Sequence, residues 1–300
     1  MAGSKGISIH LGLNGVDPAH YGGWPGTLAA CEFDAKDMKA IADAHGFEST
    51  ILLTKDATST NFFTAIGKAT SQLDAGDLLF LTYSGHGGQV PDRNGDELEN
   101  GRTDGKDETW VLYDRQLVDD ELYSLWSKLR PGVRVIMLSD SCHSGSVARE
   151  LAYPGIIEAS VIPEETIKPS STVTRWMPSD IQTRTYEQNR ALYDGIQKAN
   201  SQGENVEVGA SVLLISGCQD NQTSMDGTRN GLFTEALRRI YDDGKFKGGY
   251  RRFWKEIANI MPGSQSPNYY PAGVRDRAFE RQRPFTIGVA KAAAVPSPER

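Results

Sequence analysis

Apolar and polar positions along the chain fall into two alternating rhythms. Short apolar runs mark strands at Ile7 to Leu13, Ser49 to Leu53, Asp77 to Tyr83, Val133 to Ser139 and Ser211 to Ser216. A further strand is expected at Pro284 to Val289. Asp77 to Tyr83 and Val133 to Ser139 are nearly unbroken in apolar character, the pattern of strands covered on both faces. Between the runs lie helical spacings. Ala29 to His45 sets Phe33, Met38, Ile41 and Ala42 near one face, and Gly46 supplies a C-cap. Further helices are expected from Asp56 to about Leu73, from Asp119 to Leu129 before the Pro131-Gly132 break, at Gly231 to Tyr241 and at Tyr250 to Ile260. Strands alternating with helices predict an α/β fold with a mostly parallel central sheet and helices on both faces.

Two stretches interrupt this rhythm. Residues 89–109 are acidic and glycine-rich with little apolar content and read as irregular. Residues 149–207 read as a long inserted loop with one helix near Tyr186 to Ala199. Long insertions between core strands are usually functional or mobile. The expected layout is one domain over residues 1–290, with this insertion inside it and a tail at 291–300.

In a parallel sheet, functional residues gather beyond the carboxyl ends of strands. Three polar clusters stand there: Ser84-Gly-His-Gly-Gly, Asp140-Ser-Cys-His-Ser-Gly and Gly217-Cys-Gln-Asp. Cys142 follows a buried strand and enters a Gly/Ser turn. A thiol becomes a nucleophile when a base or a positive field favours its thiolate. His86, flanked by two glycines after another buried strand, is the candidate base. His143 and the neighbouring serines read as turn residues. Taken alone, each of these is an ordinary strand-end residue; the pair at two strand ends brings the catalytic reading level with the ordinary one. No GxSxG stretch supports a serine hydrolase.

Composition narrows the class. Of the 300 residues, 38% are hydrophobic and 24% charged, which permits a packed core. The net charge is −7 and no dense Lys/Arg run occurs, so nucleic acid is not the expected partner. Three cysteines without a CxxC pair argue against a disulfide framework or a structural zinc site. No apolar run approaches the about 18 residues of a membrane span. A soluble, cytoplasmic protein without membrane attachment is expected.

The clusters carry a resemblance. Tyr83-Ser84-Gly85-His86-Gly87-Gly88 and Asp140-Ser141-Cys142-His143-Ser144-Gly145 are similar to the histidine and cysteine boxes of the metacaspases, within the caspase-like cysteine peptidases. Cys31-Glu-Phe-Asp34-Ala resembles the Cys-x-x-Asp-Ala segment of that family. Ser216-Gly-Cys-Gln-Asp-Asn-Gln-Thr-Ser-Met-Asp226 resembles its segment after the next core strand. These ordered motifs span about residues 5–240; residues 149–207 and the last 50 or so match loosely.

The resemblance implies a caspase-like fold and a Cys/His dyad. Cys142 would attack the scissile carbonyl, and His86 would protonate the leaving amine and then activate water. The backbone amides of Gly87 and Cys142 would form the oxyanion hole. The pocket for the residue before the scissile bond (P1) would be Cys31, Asp34, Ser84 and Asp140, with Asp220 and Asp226 supporting its rim. Paired carboxylates suit a guanidinium, so peptides and proteins with Arg or Lys at P1 are the expected substrates. Alone, Asp34 reads as a first-turn helix acid and Asp140 as a strand-end cap. A monomer is expected.

No cofactor is needed for that chemistry. The resemblance makes Ca²⁺ a candidate regulator, with Asp107, Asp119 and Asp120 as ligands. Arg149 stands where the family has a further aspartate, which counts against it. The same acids at 119–121 also read as N-cap chemistry. Lys168, Arg175, Arg184, Arg190 and Lys198 in the insertion are candidate points of self-cleavage that would free a blocking loop. Two rivals remain: a non-catalytic caspase-like module that binds basic peptides or partners, and a relative that cuts after other residues, as legumain-like peptidases do.

Overall fold

A computed structural model describes residues 3–93, 105–141, 173–201, 206–218 and 224–288. Its centre is a six-stranded sheet. The strands are β1 (Gly6–Gly12), β2 (Glu48–Leu53), β3 (Leu78–Ser84), β7 (Arg134–Asp140), β8 (Ser211–Ser216) and β9 (Asn268–Gly273), in the order β2-β1-β3-β7-β8-β9. All neighbours are parallel except β8 and β9. A smaller antiparallel sheet, β4 (Gly87–Pro91), β5 (Lys106–Val111) and β6 (Gln116–Val118), lies beyond the carboxyl end of β3.

The unbroken apolar runs come from burial on both faces. Leu79, Leu81 and Tyr83 of β3 join Ile9, Val135, Met137 and Leu214 in one core. That core is closed by α2 (Ser59–Gln72) and α3 (Asp119–Trp126) through Phe62, Ile66, Leu122 and Trp126. Leu78 and Phe80 point the other way and join Ile136, Leu138 and Leu213. There the cover is α1 (Cys31–Ala44), α6 (Leu232–Tyr241) and α7 (Tyr250–Ile260), through Met38, Leu237 and Phe253. Alternate residues of each strand thus serve opposite layers. Among the described residues, no helix is long and apolar enough to cross a membrane.

Three expectations are corrected. Residues 284–288 form no strand. Phe285 sits at φ 63°, stacks on Phe80 at 4.8 Å and is fully buried, while Arg134 holds the Ile287 carbonyl. The last strand is instead β9, whose Pro271 and Gly273 gave it the look of a loop. Proline is tolerated there because β9 is an edge. The stretch 89–109 is also more regular than expected, since it holds most of β4 and of β5; residues 94–104 lie outside the described residues. Its strands were hidden because they bury polar side chains, among them Gln89, Asp107, Glu108 and Thr109. Finally, the insertion contains two helices, α4 (Ser179–Gln188) and α5 (Arg190–Ala199), rather than one. Asn189 separates them, its side-chain amide donating to the carbonyls of Thr185 and His20. A five-residue helix, α8 (Arg277–Arg281), completes the described elements.

Phe80 ties the sheet to this C-terminal turn. Phe80→Ala should destabilise the protein by about 4 kcal/mol, from lost transfer and the cavity left behind. Urea unfolding followed by tryptophan fluorescence measures it; a loss near zero would mean the Phe285 turn does not pack on the core.

Candidate active site

Strand register brings the two boxes together. β3 and β7 pair directly, and Ser84 stands opposite Asp140 at their last rung. His86 and Cys142 each follow that rung by two residues. Cys142, with His143 and Asp220, lies outside the described residues.

His86 is held on several sides. The Tyr83 hydroxyl donates to the His86 carbonyl at 2.6 Å and to that of Val111 at 3.1 Å. Tyr83 itself stacks flat on Trp110, with centroids 4.5 Å apart. The Trp110 indole donates to Ser139 Oγ, which locks the small sheet to β7. Trp24 covers the His86 ring at 4.7 Å. The ring's Nε2 lies 3.2 Å from the Gly26 carbonyl. A carbonyl only accepts, so Nε2 carries the proton and Nδ1 is left as a basic lone pair. Nδ1 is buried with no hydrogen-bond partner among the described residues. Burial lowers the His86 pKa to about 4, against the pull of the Gly26 bond. The imidazole is therefore neutral at pH 7, as a proton acceptor must be. Trp24 and Gly26 were not singled out from the sequence; the Tyr21-Gly-Gly-Trp-Pro-Gly turn signal ahead of the first helix was the available clue.

Beside His86, four acid-pocket residues converge with a fifth. Asp34 comes from the first turn of α1, Ser84 from β3, Asp140 from β7 and Asp226 from the loop after β8, and Cys31 is buried next to them. Ser84 Oγ donates to Asp34 at 2.7 Å. Asp34 also accepts from the Asn230 side chain and the Gly231 amide. Asp140 accepts from Ser224 Oγ at 2.6 Å and from the amide and hydroxyl of Thr234, in the first turn of α6. Asp226 accepts from the amides of Ala29 and Ala30, just before α1. Two carboxylates thus sit at helix N-termini, where the amide dipoles favour negative charge. Burial raises the Cys31 thiol well above its usual range, so this cysteine is an inert wall.

The pocket is filled by the chain itself. Arg175, from the stretch before α4, is fully buried in it. Its guanidinium meets Asp34 at 2.7 Å, Asp140 at 3.0 Å and Asp226 at 3.0 Å, and donates to Ser84 Oγ at 2.9 Å. A Cβ at Gly231 would collide with the guanidinium, so this glycine leaves room for the charge. Burial pushes the Asp34 carboxyl up to about 6, with Arg175 pulling it down. The backbone around Arg175 is equally committed. Its amide donates to the Ser224 carbonyl at 2.8 Å, and the Asp226 amide donates to the Val173 carbonyl at 2.9 Å. On the other side, the Gly87 amide donates to the Arg175 carbonyl at 2.9 Å. The Met177 amide donates to the Gly87 carbonyl, also at 2.9 Å. An extended segment lies between two strand-like edges, the mode in which sheets bind peptides.

Comparisons with known proteins identify the family. A family profile described as "Caspase domain" matches residues 16–279. The chain belongs to the caspase-domain family. It is 32% identical over 256 residues to Metacaspase-1A of Aspergillus fumigatus, a match covering 78% of this chain and 59% of that protein. It is 34% identical over 257 residues to Metacaspase-1A of Aspergillus clavatus, covering 78% and 57%. This caspase domain therefore spans less than two thirds of the length of these curated relatives. A crystal structure of the protein GSU0716 from Geobacter sulfurreducens superposes with a TM-score of 0.80 at 51% identity, covering 94% of this chain and 99% of that one.

The calcium residues lie elsewhere. Asp107 on β5 and Asp119 and Asp120 opening α3 are all buried. Glu121 accepts from the Val118 amide and pairs with Arg115, the N-cap arrangement the sequence also allowed. Among the described residues no three His, Cys, Asp or Glu side chains gather as metal ligands.

Three buried carboxylates face one guanidinium, so Arg175→Met should cost about 3 kcal/mol at pH 7.5. Without the cation, the Asp34 carboxyl rises further above its unfolded value. A carboxyl raised in the fold imposes a penalty that grows as pH rises from the unfolded to the folded pKa. The deficit should therefore shrink toward pH 5. Urea unfolding at both pH values measures this, and a pH-independent deficit contradicts it.

Proposed function

We propose that this caspase domain is a cysteine endopeptidase that cleaves after arginine or lysine and acts first on itself, at the Arg175–Trp176 bond. The observation that carries this reading is Arg175 held in the acidic pocket with its carbonyl on the Gly87 amide. A guanidinium ringed by Asp34, Asp140 and Asp226 is what an arginine-selective P1 pocket requires.

The chemistry follows from the groups in place. The Cys142 thiolate attacks the carbonyl carbon of Arg175. The developing oxyanion is stabilised by the Gly87 amide, already 2.9 Å from that oxygen, and by the Cys142 amide. His86, neutral with Nδ1 as its free lone pair, takes the thiol proton and passes it to the amine of Trp176 as the C–N bond breaks. Water, deprotonated by the same imidazole, then hydrolyses the thioester.

Other cations of the insertion fit less well as self-cleavage sites. Arg184, Arg190 and Lys198 are locked in α4 and α5, and a helical residue cannot lie along two strand edges. Arg184 also pairs with Asp180 of its own helix, and Arg190 with Glu187 of α4. Lys168 lies outside the described residues. Downstream of Arg175, α4 and α5 are anchored by buried Gln182, Tyr193 and Gln197, which bond to Gln89, Gln116 and Arg93. A cut after Arg175 would leave these downstream helices in place.

Fluorogenic peptides ending in Arg, Lys, Asp or Asn test the reading. Arg and Lys peptides should be hydrolysed and the others not. Cys142→Ala and His86→Ala should abolish turnover, and Asp140→Ala should lower kcat/KM at least about 100-fold by removing a buried charge partner. Equal hydrolysis of the Asp or Asn peptides would overturn the specificity. No hydrolysis with retained binding of Arg peptides would leave a basic-peptide module. Running the assay with calcium and with chelator decides whether a metal regulates the site.

A further inference from the structure

The side chain two residues beyond Arg175 is also swallowed by the fold. Met177 has no exposed surface and lies in an apolar cluster with Val16, Tyr21, Val111 and Ile181, flanked by Trp24. Thr174 and Trp176, between and beside the two buried residues, are half-exposed. This is the alternation of an extended segment, in which residues two apart share a face. The segment's register is fixed at Gly87, whose amide holds the Arg175 carbonyl and whose carbonyl holds the Met177 amide. Any peptide that puts its P1 carbonyl on the Gly87 amide and continues in the same form delivers its residue two past the bond to the same place.

The hollow is built into the body of the domain. Tyr21 is clamped by its hydroxyl, which donates to the Leu112 carbonyl at 2.6 Å. The Val111 amide donates to the His86 carbonyl at 3.0 Å, so this wall is tied to the His86 backbone. The Val16 amide bonds to Pro25, and Trp24, two residues before Gly26, lies over the His86 ring. The groups that position the base therefore also shape the hollow. The side chains clustered around Met177 are apolar or aromatic.

We propose that Val16, Tyr21, Val111 and the flank of Trp24 form the subsite for the second residue after the scissile bond, and that it selects methionine or leucine. This rests on the reading of Arg175 as a P1 arginine. In the uncut chain Met177 is the occupant, with Ile181 closing the hollow from α4. Substrates acted on in trans carry an apolar residue at this position and a basic one at P1. Acidic residues at the second position are rejected, because the hollow has nothing to pair with a buried carboxylate.

Binding, with no need for turnover, tests this. The Cys142→Ala, Arg175→Ala, Met177→Ala protein lacks the nucleophile and both of its own anchors. Fluorescein-labelled Val-Thr-Arg-Trp-Xaa-Pro peptides, with Xaa as Met, Leu, Ala or Asp, are titrated by anisotropy, alongside a peptide with Ala in place of Arg. The Met and Leu peptides should bind about tenfold or more tightly than the Ala peptide, from the apolar area they bury, and the Asp peptide weakest. Adding Val16→Phe should fill the hollow and erase the Met-over-Ala preference, while the preference for Arg over Ala at P1 persists and reports a folded cleft. Equal affinities for Met, Ala and Asp, with P1 arginine still required, would overturn the subsite and leave the cleft intact. Loss of the P1 requirement itself would overturn the arginine pocket and the subsite with it.

Discussion

Three carboxylates cannot be packed together away from water unless something balances their charge. Here Arg175 does so, and the segment that carries it takes its shape from that requirement. Asp34, Asp140 and Asp226 arrive from three separate parts of the chain, and each is first steadied by amides or hydroxyls. Amides and hydroxyls solvate an anion but leave its charge in place. A guanidinium adds the missing positive charge and several donors in one plane. In this chain Arg175 supplies that cation to all three carboxylates.

The parallel sheet makes that pocket possible. Ser84 and Asp140 meet at the last rung of β3 and β7, so both chains leave the sheet side by side. The first turns of α1 and α6 end near the same edge and bring Asp34 and Thr234 to it. The small sheet then closes the opposite wall through the Tyr83–Trp110 stack. His86, the Gly87 amide and the charge pocket share one edge of the sheet, an arrangement that limits the motion of groups that must act together.

Much of this was legible in the residues. Strands announce themselves by short apolar runs, and five of the six strands of the main sheet were visible in this way. The site residues drew attention because Gly-rich polar clusters follow those runs. What stayed hidden was hidden for physical reasons. The β4–β5–β6 sheet buries Gln89, Glu108, Thr109 and Gln116, so it has no apolar signature. β9 carries Pro271 and Gly273, residues that read as loop although an edge strand accepts them. Arg175 was one of six cations in a polar insertion, and nothing in spacing alone distinguishes it. Its neighbours do: Val173-Thr-Arg-Trp-Met is a short β-favouring, apolar stretch with a single charge, and that combination fits an extended segment with one buried cation.

The central claim is that the Arg175–Trp176 bond lies in a working cleft. Intact mass and N-terminal sequencing of the purified wild-type and Cys142→Ala proteins, incubated under identical conditions, test it most directly. The account predicts a wild-type fragment whose N-terminus is Trp176, absent from the Cys142→Ala protein. A wild-type chain that stays whole while hydrolysing arginine peptides, or one cut elsewhere, would contradict it.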